Sequence, residues 1–207
     1  MELDLWLTFV AAAGALLLIP GPTVLLVLAY ALGQGRRVAV ASAAGVALGD
    51  LVAMSASLAG LGALVMASAT LFAVLKWIGA AYLVWMGIAL LRAPAAGLEA
   101  RARPQSPARH VFWHAASVTA LNPKSIAFFI AFVPQFLRLD APLAGQFAIL
   151  VATFVGLAAL NALAYALAAD RLRRAIRRPG VNAWLTRGGG VALIGMGLLT
   201  ATMRRAG

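Results

Sequence analysis

Ile19-Pro20-Gly21-Pro22-Thr23 interrupts the first apolar run of this chain, and Leu121-Asn122-Pro123-Lys124-Ser125 interrupts the fourth. Each break has about a helical turn or more of apolar residues on both sides. Proline removes a backbone donor and clashes with the preceding turn. Inside hydrocarbon such a break is stable only where protein or a water-lined cavity satisfies the freed groups. Two breaks at corresponding points of two halves are the pattern of a transporter with a binding site at the bilayer midplane.

The rest of the chain agrees with a membrane setting. Of its 207 residues 63% are hydrophobic, and the mean hydropathy is +0.94; a water-soluble domain is about 45–50% apolar. Apolar runs cover residues 5–32, 38–66, 71–91, 112–137, 143–169 and 184–203. A span needs roughly 20 residues, so each run is long enough to cross. The expected fold is therefore all-α: one transmembrane domain over 1–207 with six helices, the first and fourth broken. No cysteine is present, which excludes disulfides, zinc-thiolate sites and thiol nucleophiles. Met1-Glu2-Leu3-Asp4 lacks the positive region of a signal peptide, so the first run reads as a retained helix.

The net charge of +11 comes from 17 Lys and Arg against 6 Asp and Glu. Most of these cations fall between apolar runs, where they read as topology signals and phospholipid contacts rather than a nucleic-acid surface. Arg36, Arg37, Arg92, Arg101, Arg103, Arg109, Arg171, Arg173, Arg174, Arg177 and Arg178 lie on one side, and Arg138, Arg204 and Arg205 on the other. Cytoplasmic loops carry the excess of Lys and Arg, which puts both termini outside.

The two halves, 3–91 and 112–203 across a linker at 92–111, repeat one another. Pro22 matches Pro123. Gly45-Val-Ala-Leu-Gly-Asp50 matches Gly156-Leu-Ala-Ala-Leu-Asn161, and Gly79, Leu83, Met86 and Gly87 match Gly189, Leu193, Met196 and Gly197. With three spans per half, the second half must sit upside down, giving a 3+3 inverted repeat.

Asp50 is the one acid deep inside a span. A charge at the centre of a membrane helix costs about 2.5–3.5 kcal/mol on insertion scales, so it faces a partner or water. With a rise of ~1.5 Å per residue, Asp50 and Lys124 each lie roughly 18 Å from the cytoplasmic edge, and Lys76 about 8 Å from the outer edge. In a core ~30 Å thick, those heights nearly coincide with one another and with Pro20–Pro22. Asp50 paired with Lys76 or Lys124 is then the expected proton-linked carboxylate. A static ion pair that only fixes helix packing is the competing reading. Helices restarting at Pro22 and Pro123 offer N–H groups suited to a substrate carboxylate. Freed carbonyls near Ile19 and Leu121 suit a substrate ammonium. The candidate substrate-binding residues are Pro20, Gly21, Pro22, Thr23, Asn122, Pro123, Lys124, Ser125 and Asn161, the last being the counterpart of Asp50.

Gly45 and Gly49 present one smooth helix face for close packing, within one subunit or between two, and Gly188–Gly190, Gly195 and Gly197 thin the last span in the same way. Trp6, Trp77, Trp113 and Trp184 read as interfacial anchors. Tyr82 reads as packing. His110 and His114 are four apart on one helical face, but zinc needs further ligands and no nearby acid or cysteine supplies them, so no metal or other cofactor is expected.

Several of these stretches resemble the lysine exporter / homoserine–threonine exporter (LysE/RhtB) family. They are Ile19-Pro-Gly-Pro-Thr-Val-Leu-Leu-Val, Ala-Leu-Gly-Gln-Gly35-Arg-Arg, Gly45-Val-Ala-Leu-Gly-Asp50, Leu75-Lys-Trp-Ile-Gly-Ala-Ala-Tyr82-Leu, Leu121-Asn-Pro-Lys-Ser-Ile-Ala-Phe-Phe and Phe132-Val-Pro-Gln-Phe136. The resemblance runs from about residue 3 to 203 and is closer to the homoserine–threonine branch. Relatives often carry Asn or Asp where Thr23 stands here. The resemblance implies efflux of amino acids or their derivatives across a bacterial inner membrane, driven by the proton motive force.

The expected partners are an amino-acid-like substrate, protons and the bilayer, with a homodimer as the expected assembly. Other classes predict other features. A membrane-embedded enzyme would carry H-E-x-x-H, G-x-S-x-G or a pair of intramembrane acids, and none is present. A non-transporting assembly or regulatory protein has no need of convergent mid-membrane charges. A passive channel would give flux without proton coupling.

Overall fold

The computed structural model describes residues 1–19, 21–34, 36–67, 69–92, 106–138, 141–169 and 179–202. Pro20, most of the linker and the basic run at 170–178 lie outside the described residues, as does the side chain of Lys76. All regular structure among the described residues is helical. In chain order the helices are α1 (Leu3–Leu18), α2 (Pro22–Gln34), α3 (Arg36–Ala67), α4 (Ala69–Arg92), α5 (Ala108–Ala120), α6 (Pro123–Ala131), α7 (Leu143–Leu167) and α8 (Pro179–Thr202), with a 3-10 turn at Val133–Phe136 after α6.

Both proline breaks are real ends of helices. α1 stops at Leu18 and α2 restarts at Pro22; α5 stops at Ala120 and α6 restarts at Pro123. Proline suits the first helical position, where its missing N–H has no partner to lose and its φ is already helical. The axis turns by 57° across the first break and by 45° across the second. Three helical stretches, Arg37–Ala63, Ala73–Arg92 and Leu143–Leu167, are long and apolar enough to cross a membrane, and five segments are if each bent pair counts as one. α8 is 24 residues long, with its apolar stretch over Arg187–Ala201.

α3 lies at the centre, packed along α5 and α7, while α4 runs along α8 and touches α6. The glycines explain the closeness of these pairs. A Cβ added at Gly45 would overlap the carbonyl oxygen of Phe112, and one at Gly49 would lie 2.5 Å from that of Ala116. The smooth face of α3 therefore serves packing within one subunit, against α5. Gly87 and Gly190 meet in the same way between α4 and α8, backbone on backbone. Of the last span's glycines, Gly189, Gly190 and Gly197 face neighbours within the chain, whereas a Cβ added at Gly188 or Gly195 would meet nothing within 4 Å among the described residues.

Phe9, Phe128, Phe132, Phe136 and Phe154 interlock between α1, α6, the 3-10 turn and α7. Phe9 and Phe136 have ring centroids 5.3 Å apart, and Phe128 and Phe154 are 5.9 Å apart. This wedge joins both broken helices to α7 on the side where the chain begins. Trp77, Trp113 and Trp184 are exposed. Trp6 is instead turned inward, its Nε1 donating to Thr153 Oγ1 at 3.0 Å. Tyr82 packs beside Trp85, the rings tilted by 36° with centroids 5.5 Å apart.

Candidate functional site

Breaking α1 at residue 18 leaves its last carbonyls short of helical partners; Leu16 O keeps only a bond from Ile19 N–H at 3.3 Å. Three side chains from the second half reach them. Lys124 Nζ donates to Leu16 O at 3.0 Å and to Ile19 O at 2.9 Å. Asn161 Nδ2 donates to Leu17 O at 3.1 Å, and Tyr165 OH to Leu18 O at 3.2 Å. Four successive carbonyls are thus held by one cation from α6 and two neutral donors one turn apart on α7. A cation at a helix C-terminus also complements the negative end of the helix dipole.

The second break is held differently. Asn122 caps α6, its Oδ1 accepting from Lys124 N–H at 3.1 Å. Its Nδ2 donates to Thr23 Oγ1 at 3.2 Å, and Thr119 Oγ1 meets the same hydroxyl at 3.4 Å. The start of α2 and the start of α6 are therefore tied to each other through Thr23 and Asn122. Gly21 lies beside this knot, where an added Cβ would make an ordinary van der Waals contact with Lys124 Nζ at 3.4 Å.

Asp50 stands near the middle of α3, facing the knot. It is buried, and its Oδ1 has no hydrogen-bond partner. Asp50, Lys124, Thr23, Asn122, Ser125 and Asn161 all line one small cavity of about 30 Å³. Among the described residues no ion pair joins Asp50 to Lys124. The carboxylate has an unfilled acceptor while the ammonium is engaged elsewhere. A buried charge in this condition is costly. The volume suits a water-sized guest; a benzene-sized molecule needs roughly 150 Å³.

The cavity gathers Asp50, Lys124, Gly21, Thr23, Asn122, Ser125 and Asn161, with Pro22 and Pro123 opening the adjoining helices. Pro20 and the Lys76 side chain lie outside the described residues. The carbonyls of α1 that sequence reading offered to a substrate ammonium are held here by side chains of the protein. Thr119 and Tyr165 went unnoticed in the sequence. The signal for Tyr165 is its spacing of four from Asn161, which puts both on one face of α7. His110 and His114 have ring centroids 6.2 Å apart, and His114 Nδ1 is 2.8 Å from Tyr30 OH.

The profile of the LysE type translocator family matches residues 14–204. The chain is 34% identical over 207 residues, the whole of both chains, to a protein of Salmonella typhimurium named homoserine/homoserine lactone efflux protein, and equally to one of that name from Salmonella typhi. It is 31% identical over 204 residues, 99% of this chain and all of the other, to a membrane protein of Vibrio cholerae. No solved structure gives a significant match. A polar centre between two broken helices and a match along nearly the whole chain have one reading: the protein is a membrane translocator, not an enzyme, and belongs to the LysE type translocator family.

Proposed function

We propose that this chain exports amino acids or their derivatives across a bacterial inner membrane, driven by the proton motive force. Homoserine and compounds like it are the substrates to try first, because full-length relatives at 34% identity carry that name. In this reading six spans form a 3+3 inverted repeat with both termini in the periplasm. The bent pairs at matching places in the two halves, and the excess of arginine in the intervening loops, support it.

The observation that carries the proposal is the unpartnered, buried Oδ1 of Asp50 in a cavity lined from both breaks. Burial favours the neutral form of a carboxylic acid, and a neighbouring cation favours the charged form. A carboxylate balanced between these is suited to take and lose a proton as the site opens alternately to each side. Substrate binding falls to the groups around it, Gly21, Thr23, Asn122, Ser125 and Asn161, with the helix ends opened by Pro20, Pro22 and Pro123. Lys124, and Lys76 on α4, are the cations that balance Asp50.

Export from loaded proteoliposomes with a panel of amino acids, at set pH gradients, tests this. Export that responds to the gradient supports it. Flux indifferent to the gradient supports a passive channel, and no flux with any amino acid refutes the substrate class. A homodimer belongs to the same reading, and the mass of the detergent-solubilised protein tests it.

A further inference from the structure

We propose that Lys124 is a tethered stand-in for the substrate's ammonium group, holding the Leu16 and Ile19 carbonyls at the end of α1 until substrate displaces it. The inference rests on the exporter reading above and deepens it.

The four carbonyls are held in two unlike ways. Leu17 and Leu18 bond to the neutral side chains Asn161 and Tyr165, both on the same turn-spaced face of α7. Leu16 and Ile19 bond to a single ammonium on a flexible four-carbon stem, with Leu16 O also accepting from Ile19 N–H at 3.3 Å. An ammonium has three donors and no acceptor, and an amino acid carries the same group. The two cannot share the carbonyls. The cavity of about 30 Å³ that Lys124 lines holds no amino acid, so substrate binding on these carbonyls requires the lysine to leave. Its destination lines the same cavity, where the buried Oδ1 of Asp50 has no partner. Exchange then replaces one charge-assisted bond set with another: substrate ammonium on the α1 carbonyls, Lys124 on Asp50. The return of Lys124 expels the substrate. Lys124 acts as a positioning residue, and it competes with the ligand instead of binding it.

A direct ligand for the substrate carboxylate would behave in the opposite way, which gives the test. The chain has no cysteine, so Lys124→Cys introduces a single thiol, and aminoethylation of that thiol restores an ammonium of similar length. If the carbonyls are free about a tenth of the time in the wild type, removing the competitor tightens apparent binding about tenfold. We expect Lys124→Cys to bind homoserine about tenfold more tightly while exporting it more slowly, with aminoethylation reversing both. Methylammonium should compete with homoserine in Lys124→Cys and lose that ability after aminoethylation. Weaker or unchanged homoserine binding in Lys124→Cys overturns the inference.

If Lys124→Cys does not reach the membrane, the wild type decides. Its only lysines are Lys76 and Lys124, so site-resolved acylation reports each. Homoserine should slow the acylation of Lys124, because a neighbouring anion favours the protonated, unreactive ammonium, and methylammonium, which has no carboxylate to bind the lysine, should slow it too; a raised or unchanged rate, or slowing by homoserine alone, overturns the inference. Wild-type vesicles that export no amino acid would refute the exporter reading and this inference with it. Wild-type export with unchanged Lys124→Cys binding refutes this inference alone.

Discussion

Tyr165→Phe is the sharpest probe of how the broken first helix is held. The substitution keeps the ring and deletes the hydroxyl that donates to Leu18 O at 3.2 Å. Tyr165 is only 8% exposed, so water does not readily replace the lost donor. An unsatisfied buried carbonyl costs about 1–3 kcal/mol. For a chain of this size each kcal/mol lowers Tm by roughly 2–4 °C, so a fall of roughly 2–12 °C is expected. Thermal unfolding followed by tryptophan fluorescence in mild detergent measures it. Asn161→Leu, which frees Leu17 O, should cost a similar amount. Because the two carbonyls are neighbours on one helix end, the double variant should depart from additivity by about 0.5–3 kcal/mol. If both single variants melt within about 0.5 kcal/mol of the wild type, as substitutions away from such features do, side-chain donors do not hold the α1 end and the reasoning fails.

Other outcomes follow from the same contacts. Gly49→Val places a Cβ 2.5 Å from Ala116 O and 2.7 Å from Thr119 Cβ; overpacking of this kind costs about 1–3 kcal/mol. It should lower Tm accordingly, and an unchanged Tm would contradict the close α3–α5 approach. Asn122→Ala removes both the α6 cap and the bond to Thr23, so it should cost about 0.5–2 kcal/mol or more, again read by Tm. Gln146→Leu deletes a buried amide that bonds the Arg138 N–H and the Arg138, Ala141 and Pro142 carbonyls. Faster proteolysis of the connection ahead of α7 should follow, and an unchanged cleavage rate would contradict that role.

The breaks were legible because proline has no N–H to give, whatever its surroundings, and both Pro22 and Pro123 open a new helix as that demands. The place of Asp50 near the middle of a long apolar helix was legible because the run from Val38 to Met66 has no interruption and puts the acid inside it. The partners were not legible. A lysine stem reaches several ångströms in many directions, and nothing in the order of residues says that Lys124 bonds the end of α1 rather than Asp50. Tyr165 was hidden for a related reason: one hydroxyl in an apolar helix reads as packing until the carbonyl it meets, 147 residues away, is located. The glycine face of α3 was plain, but its partner α5 depended on the tertiary arrangement. Trp6 shows the same limit, since an interfacial anchor and an inward donor look alike in sequence.

Export by wild type and Asp50→Asn in matched proteoliposomes, with and without a pH gradient, bears most directly on whether a buried carboxylate drives this protein. The wild type should export homoserine at a rate that responds to the gradient. Asp50→Asn should reach the membrane in equal amount and export nothing above protein-free vesicles. Gradient-dependent export by Asp50→Asn at the wild-type rate would contradict the account.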